Sequence, residues 1–122
     1  MSVIYAYKSR GIQKDLTVRN AAGTAIVVTA NDKLRVVIGR EGRLGVNFAD
    51  AELVITTDAA TANGSSITKG TAASPANRVR FDASDLAFEP GTYTLFLDFF
   101  DNADAQEWKN VDRQVFILEA TE

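Results

Sequence analysis

Apolar residues recur at every second position in short segments along the whole chain, and this alternation restricts the fold more than any other feature. Period-two spacing is typical of strands with one buried face, and turns rich in Gly, Asn, Asp and Ala separate the segments. No window of about eleven or more residues keeps the 3.6-residue period of a helix. The pattern therefore predicts an all-β fold of mainly antiparallel strands, a sandwich or a barrel. The predicted strands are Val3 to Tyr7, Ile12 to Arg19, Ala25 to Thr29, Leu34 to Gly39, Leu53 to Thr57, Ser65 to Lys69, Arg78 to Asp82, Tyr93 to Asp98 and Gln114 to Glu119.

The segment from Ser84 to Tyr93 predicts a corner between two sheets. A Pro-Gly pair at positions 90–91 favours a turn, and Tyr93 follows at the start of an apolar strand. In immunoglobulin-like sandwiches a tyrosine at this place returns its hydroxyl group to the backbone a few residues upstream. A single helical turn over residues 84–88 is expected just before the corner. These features favour an antiparallel immunoglobulin-like β-sandwich of about seven to nine strands.

The same alternation assigns the side chains that face the core. Val79 and Phe81, for example, alternate with the charged residues Arg78, Arg80 and Asp82. We expect the apolar rows of two sheets to meet and to bury enough surface for residues 1–122 to fold as one domain without disulfides. The predicted core rows are Ile12, Leu16 and Val18; Leu34, Val36 and Ile38; Val79 and Phe81; and Tyr93, Leu95, Leu97 and Phe99.

Two strands near the carboxyl end carry more apolar residues than one core face needs. The strand that begins at Tyr93 has Phe96 and Phe100 on its outward row, and the last strand is apolar on both faces. Either Val3 to Tyr7 or the loop 101–113 with Trp108 folds over this face, or the face is a subunit contact, because exposed apolar patches mark association surfaces. The candidate contact residues are Phe96, Phe100, Phe116, Leu118 and Trp108.

The residue types present argue against catalysis. The chain has no histidine and no cysteine, so Ser-His-Asp and Cys-His nucleophiles and the common zinc sites are excluded. Paired carboxylates such as Asp82 with Asp85 remain, but a small sandwich has little material for the deep cleft that a carboxylate pair needs. The glycine-rich run 39–45 lacks a phosphate-binding spacing. We therefore expect no enzyme activity and no cofactor.

The loop after the strand that begins at Tyr93 has two further interpretations. Asp101, Asn102, Asp104 and Glu107 supply oxygen atoms that a calcium ion accepts as ligands, although the spacing fits no calcium-loop motif and a solvated polar turn is the simpler interpretation. Trp108 offers an aromatic face on which a sugar ring stacks, or else covers the core. A bound glycan is thus an alternative to be tested.

The net charge and the composition indicate which binding partners and which cellular compartment to expect. A net charge of -3 on mixed acidic and basic residues does not favour nucleic acid. No apolar run reaches the length of a membrane span, so no membrane partner is expected. The absence of cysteine fits synthesis in a reducing cytoplasm.

Two groups of residues outside the strands also carry predictions. Residues 58–76 are small and polar with Ile67 as the only large aliphatic side chain, and we expect this segment to project as a mobile loop or as an arm on a neighbouring subunit. Five arginines recur on strands or their ends and form a basic outer stripe if they align. They are Arg35, Arg40, Arg43, Arg78 and Arg80.

The succession of these motifs resembles immunoglobulin-like modules of bacteriophage virions. It is most similar to the amino-terminal domain of phage baseplate upper proteins and to related small tail or capsid-decorating proteins. The similarity runs over Lys14 to Val18, Gly23, Leu34 to Ile38, Leu53 to Ile55, Ile67-Thr68, Val79 to Phe81, Asp85-Leu86 and Pro90 to Tyr93.

The resemblance implies a structural virion protein with no catalytic residue. It would be made in the host cytoplasm and assemble with copies of itself and with other virion proteins. Because the baseplate protein continues into further domains and this chain ends at Glu122, we expect a stand-alone accessory or decoration protein. The alternatives are a carbohydrate-binding or adhesin module, which uses Trp108, and a bacterial interaction module that binds a peptide by strand addition.

Overall fold

A computed structural model describes residues 2–102 and 107–120 of the chain, apart from the side chain of Asn47. This part contains ten β-strands, one short 3₁₀ helix at Val46–Phe48 and no α-helix. The predicted all-β fold is confirmed. The strands are β1 (Val3–Tyr7), β2 (Ile12–Leu16), β3 (Val18–Arg19), β4 (Ala25–Ile26), β5 (Lys33–Gly39), β6 (Leu53–Thr56), β7 (Ser66–Thr68), β8 (Asn77–Phe81), β9 (Gly91–Phe100) and β10 (Trp108–Glu119).

The strands form two main sheets and a small hairpin. A five-stranded sheet has the order β1-β10-β9-β5-β6, a three-stranded sheet has the order β2-β8-β7, and β3 pairs with β4. The two main sheets pack against each other as a sandwich through one hydrophobic cluster, in which the rings of Phe81 and Phe116 are 5.9 Å apart. The five-stranded sheet carries the long strands and presents the larger outer face.

The structure differs from the strand prediction in two details. The structure has ten strands instead of seven to nine, because the predicted strand 12–19 is interrupted at Thr17 and a separate hairpin follows. In addition, β1 runs parallel to β10, with Val3 opposite Val115 and Tyr7 opposite Glu119. A tight turn forces only consecutive strands to be antiparallel, so the first and last strands are free to pair in the parallel sense.

The predicted core rows lie in the hydrophobic cluster between the sheets. The members of these rows are buried, except for Ile12, which is partly buried and packs against the cluster. Phe116 and Leu118 join them with exposed fractions of 0% and 1%. These two candidate contact residues are therefore hidden inside the protomer. An irregularity between Asn110 and Asp112 shifts the register of β10 and places Phe116 opposite the core residue Tyr93.

The predicted corner is present. The Tyr93 hydroxyl donates a hydrogen bond to the backbone carbonyl of Glu89, as the corner motif requires. Burial and the charge of Glu52 raise the pKa of Tyr93, so the hydroxyl keeps its proton and remains a donor. The preceding helical turn lies slightly earlier than predicted, since Leu86 donates to the carbonyl of Asp82.

Residues 58–76 do not project from the sandwich, which corrects the expected arm or mobile loop. Residues 66–68 form β7 inside the three-stranded sheet. The side chains of Thr61, Asn63 and Ser65 all donate hydrogen bonds to the carboxylate of Asp85, on the turn before the corner. These hydrogen bonds thus hold the segment 61–65 against the turn that carries Asp85.

The pKa of the Asp85 carboxylate depends on these hydrogen-bond donors. Burial alone would raise the pKa of Asp85, but the hydrogen bonds from Ser65, Thr61 and Asn63 outweigh it and hold the pKa below its usual range. The ionised form is thereby favoured in the folded protein. Folding stability gained in this way is present above the unfolded pKa of about 3.9 and is lost as the pH falls through the lower folded pKa.

Replacement of Tyr93 by phenylalanine tests the corner. The variant lacks the hydroxyl donor to Glu89, and we expect the free energy of unfolding to fall by about 1 kcal/mol in urea titrations. Tyr5→Phe is the matched control, because the Tyr5 side chain is 58% exposed and should stay within about 0.5 kcal/mol of wild type. Equal stability of Tyr93→Phe and Tyr5→Phe would contradict a structural role for the corner hydroxyl.

The pH dependence of unfolding tests the Asp85 cluster. We expect the wild-type free energy of unfolding to decrease as the pH is lowered from about 5 to 2.5, and Asp85→Asn to lose part of this decrease, because the depressed pKa has been removed. Urea titrations at a series of pH values measure both slopes. Parallel curves for the two proteins over this range would show that Asp85 has no depressed pKa.

Candidate functional site

The outer faces of the two sheets differ sharply in chemistry. On the three-stranded sheet, β2 and β8 place the charged side chains of Asp15, Arg78 and Arg80 outward, and the Arg78 and Asp15 side chains lie 3.6 Å apart and well exposed. Arg35 lies on the other sheet, so the five arginines do not align into one basic stripe. The outer face of the three-stranded sheet is thus an ordinary solvated surface.

The outer face of the five-stranded sheet carries apolar side chains on β5 and β9, next to the charged pair of Arg35 and Asp98. In β9 and β5, Phe96 is paired with Val37 on this face, with exposed fractions of 9% and 0%. Phe100 follows at the end of β9 and is half-buried. These side chains are the predicted surplus row, and the chain itself covers most of it.

Part of the cover comes from Trp108 and Arg113 of the predicted covering segment 101–113. The other part comes from residues 40–52, which neither predicted segment includes. Leu44 packs onto β5, where a Cβ atom added to Gly39 would lie 2.3 Å from Leu44 Cδ2. Phe48, at the end of the 3₁₀ helix, has a φ of 60°, a conformation that bulky residues rarely adopt. Its ring lies against the Arg35 guanidinium.

Arg35 is the centre of this covered face. Its guanidinium carbon lies 4.5 Å from the centre of the Phe48 ring and 4.2 Å from that of the Trp108 ring. Its Nε and Nη2 atoms donate to one oxygen of Asp98 at 3.0 and 2.9 Å. The other Asp98 oxygen accepts a hydrogen bond of 3.1 Å from Asn110. A nearly buried ion pair is therefore capped by two aromatic rings and fully hydrogen-bonded at its carboxylate.

A second arginine extends the cover towards β10. The Arg113 guanidinium lies 5.4 Å from the centre of the Phe96 ring, and its Nε donates to Asn110 at 3.0 Å. Arg113 also forms an ion pair with Glu41, in the segment 40–52. Asn110 thus joins the two arginine sites, and the whole network ties β5, β9, β10 and the covering segment together.

Trp108 has less free surface than a sugar platform needs. It lies on β10, with one face against Arg35, and its ring centre is 5.6 Å from that of Phe100 at an angle of 56°. The Phe100 ring also faces Lys33, whose Nζ atom lies 5.7 Å from the ring centre. Of the candidate contact residues, Phe96, Phe100 and Trp108 therefore belong to an internal aromatic and cationic cluster.

One exposed large apolar side chain, Val46, lies in the covering segment and is 83% exposed, and the others lie at one side of the five-stranded sheet. Val3 and Tyr5 of β1 are 42% and 58% exposed, and they share the outer face with Val115 and Ile117 of β10, which are half-buried. We call these four residues the β1–β10 strip. Sequence reasoning treated β1 as a cover and so missed it, although the alternation of Val3 and Tyr5 with the buried Ile4 gave the signal.

The structure also bears on the predicted carboxylate pair and on the predicted calcium loop. Asp82 and Asp85 lie at one turn, and the Asp85 carboxylate accepts hydrogen bonds from hydroxyl and amide groups of the chain. The depression beside Asp82, which Gly11 and Gln13 also line, is open to solvent. Within residues 2–102 and 107–120, no three acidic side chains cluster so as to hold a metal ion. Asp104 of the proposed calcium loop lies outside the described residues. In the same described part of the chain no helix is long and apolar enough to cross a membrane.

Comparison with known proteins adds no relative to this picture. The sequence matches no protein-family model, and no curated protein matches it.

Replacement of Arg35 by lysine tests the covered face. An ammonium group cannot reproduce both hydrogen bonds to Asp98 and the planar contacts with two rings, so we expect a loss of about 1 to 2 kcal/mol in unfolding free energy. Trp108 is the only tryptophan, and its fluorescence spectrum should change as well. Arg78→Lys is the matched control, because its ion pair is exposed, and a similar loss in both variants would contradict the special role of Arg35.

Proposed function

We propose that this protein is a non-enzymatic structural component of a bacteriophage virion, with an immunoglobulin-like fold, that acts by assembling with copies of itself and with other virion proteins. The strand orders support the fold assignment. In immunoglobulin-like sandwiches the strands G, F and C of one sheet face B, E and D of the other, and variable-type domains add a strand beside C. The orders β10-β9-β5-β6 and β2-β8-β7 agree with this arrangement, and the Tyr93 corner agrees with it too.

The β1–β10 strip carries the assembly proposal. A sandwich that works alone in water has no need of an exposed tyrosine and valine beside two further half-buried aliphatic residues, whereas the opposite sheet is charged on its outer face. Tyrosine is enriched in protein interfaces because it offers a large rigid surface with a polar end. The strip therefore fits a protein partner better than it fits solvent.

The carbohydrate-binding alternative has weaker support. A sugar ring needs an open aromatic face, and the face of Trp108 towards β5 is occupied by Arg35. Tyr5 is the exposed aromatic residue of the strip, but its neighbours Val115 and Ile117 offer no hydrogen-bonding side chains for sugar hydroxyls. The chemistry of this surface thus favours apolar association.

Virion content is the direct test of this function. We expect mass spectrometry of phage particles, purified from a lysate of the strain that encodes this chain, to detect it at a fixed copy number per particle. Gold-labelled antibody against the chain should mark one repeated position on the head or the tail. Particles that are intact and contain no trace of the chain would contradict the proposal.

A further inference from the structure

In the part of the chain that the structure describes, neither edge strand of the five-stranded sheet has a hydrogen-bonded strand on its outer side. β1 has a hydrogen-bonded neighbour on the β10 side only, and β6 has one on the β5 side only. Soluble sheets usually guard such edges with charged residues, prolines or bulges. Within β1 the sequence is Val-Ile-Tyr-Ala-Tyr and within β6 it is Leu-Val-Ile-Thr, and neither contains a charge or a proline. Each edge is therefore competent to accept another strand.

The hydrogen bonds of β1 show which of its backbone groups point to the open side. Val115 donates to the carbonyl of Ser2 at 3.1 Å, and Lys8 donates to the carbonyl of Glu119 at 2.8 Å. In a parallel ladder alternate residues face the same neighbour, so the even-numbered residues of this segment bond to β10. The backbone groups of Val3 and Tyr5 therefore point away from the sheet.

The same argument applies to β6. Thr57 donates to the carbonyl of Leu34 at 3.1 Å, and the register continues with Ile55 opposite Val36. Because hydrogen-bonded pairs alternate along an antiparallel ladder, residues 55 and 57 bond to β5, and at the start of the strand Glu52 donates to the carbonyl of Ile38 at 2.8 Å. The backbone groups of Val54 and Thr56 point to the open side.

The two edges fit each other in direction. β1 is parallel to β10, β10 is antiparallel to β9, β9 to β5, and β5 to β6, so β1 and β6 run in opposite directions. A second copy placed beside β6 in the same orientation thus presents its β1 antiparallel to β6. Tyr5 opposite Val54 and Val3 opposite Thr56 then form two pairs whose backbone groups are all directed at each other.

This register also matches the buried faces. It places Ile4 opposite Ile55 and Ala6 opposite Leu53, and all four are core residues of their own protomers. A shift of one residue would set core-facing side chains against outward-facing ones. The hydrophobic core of one copy therefore continues into that of the next.

Charge complementarity identifies the occupant of the edge as a second copy. Lys8 follows β1 directly, while Asp50 and Glu52 precede β6, and all three are exposed. In the matched register the ladder ends at Ala6 and Leu53, so the basic end of β1 that Lys8 follows lies beside the acidic end of β6 that Asp50 and Glu52 precede. Like charges at this place would repel, and opposite charges favour the contact and fix its direction.

We propose that copies of this chain join head to tail, with β1 of one copy added to β6 of the next, so that the five-stranded sheet continues across the interface. This inference rests on the proposed function in that it names the partner as the chain itself. The contact is heterologous, since two different surfaces meet. Repetition gives a ring if the rotation between copies closes, and a filament if it does not.

Proline substitutions at the two edges test the contact. Tyr5→Pro and Thr56→Pro each remove an outward-pointing N–H and leave the bonds within the protomer intact, because edge strands tolerate proline where its nitrogen faces solvent. By sedimentation velocity we expect the wild type to associate with increasing concentration and each variant alone to be monomeric. An equimolar mixture should form one-to-one dimers and nothing larger, since each variant keeps one working edge. Tyr5→Val, which keeps both the N–H and an apolar side chain, should still associate. A monomeric wild type, variants that associate as the wild type does, or a mixture that stays monomeric would overturn the proposal.

Charge reversal supplies a test that does not involve proline. Lys8→Glu and Glu52→Lys should each weaken the association about tenfold, and the double variant should recover most of the loss, because opposite charges meet again in exchanged positions. Thermal unfolding of each variant checks that the fold is kept. A double variant weaker than both single variants would contradict a contact between these two ends.

The outcomes separate this inference from the proposed function. A chain that is present in virions but monomeric in solution would overturn the head-to-tail contact alone. A chain that associates through these edges but is missing from virions would overturn the virion assignment alone.

Discussion

The architecture depends on the ion pair between Arg35 and Asp98 on the outer face of the five-stranded sheet. The strands β9 and β5 carry Val37, Phe96 and Phe100 on the outer face beside the Arg35–Asp98 pair, and a sandwich of two sheets covers only the inner face. Burial of two charges is costly unless geometry and hydrogen bonds compensate. Here Arg35 makes two hydrogen bonds to Asp98 and lies between the rings of Phe48 and Trp108. The pair thus anchors the covering segment 40–52.

This cover also decides which surface is left for association. Val37 and Phe96 are buried on the covered face, whereas Val3 and Tyr5 of β1 remain exposed. The proposed head-to-tail contact therefore lies at the edges of the sheet and not at its centre, where the sequence suggested association. An interface at an edge uses backbone hydrogen bonds, which give direction, together with apolar side chains, which give affinity. This combination suits the assembly function that we propose.

Local patterns were enough to predict the strands, the core rows and the corner at Tyr93, because strand periodicity and turn chemistry depend on residues close in sequence. The parallel pairing of β1 with β10 could not be predicted, since no turn links them. The covering segment 40–52 carries glycines and no periodicity, so its role follows only from contacts such as that between Phe48 and Arg35. The Asp85 cluster, in which Thr61, Asn63 and Ser65 donate hydrogen bonds to Asp85, joins residues about 20 positions apart in the sequence. Its members, which include Ser65, look like ordinary loop residues in the sequence.

A double-mutant cycle on Arg35 and Asp98 tests the central claim most directly. Arg35→Met and Asp98→Leu, alone and together, are compared by urea unfolding. Each single change leaves one charge without its partner under the aromatic cover, and the double change leaves none. The account predicts that the double variant is more stable than the sum of the single losses implies, with a coupling of about 2 kcal/mol. Additive losses, with a coupling near zero, would contradict it.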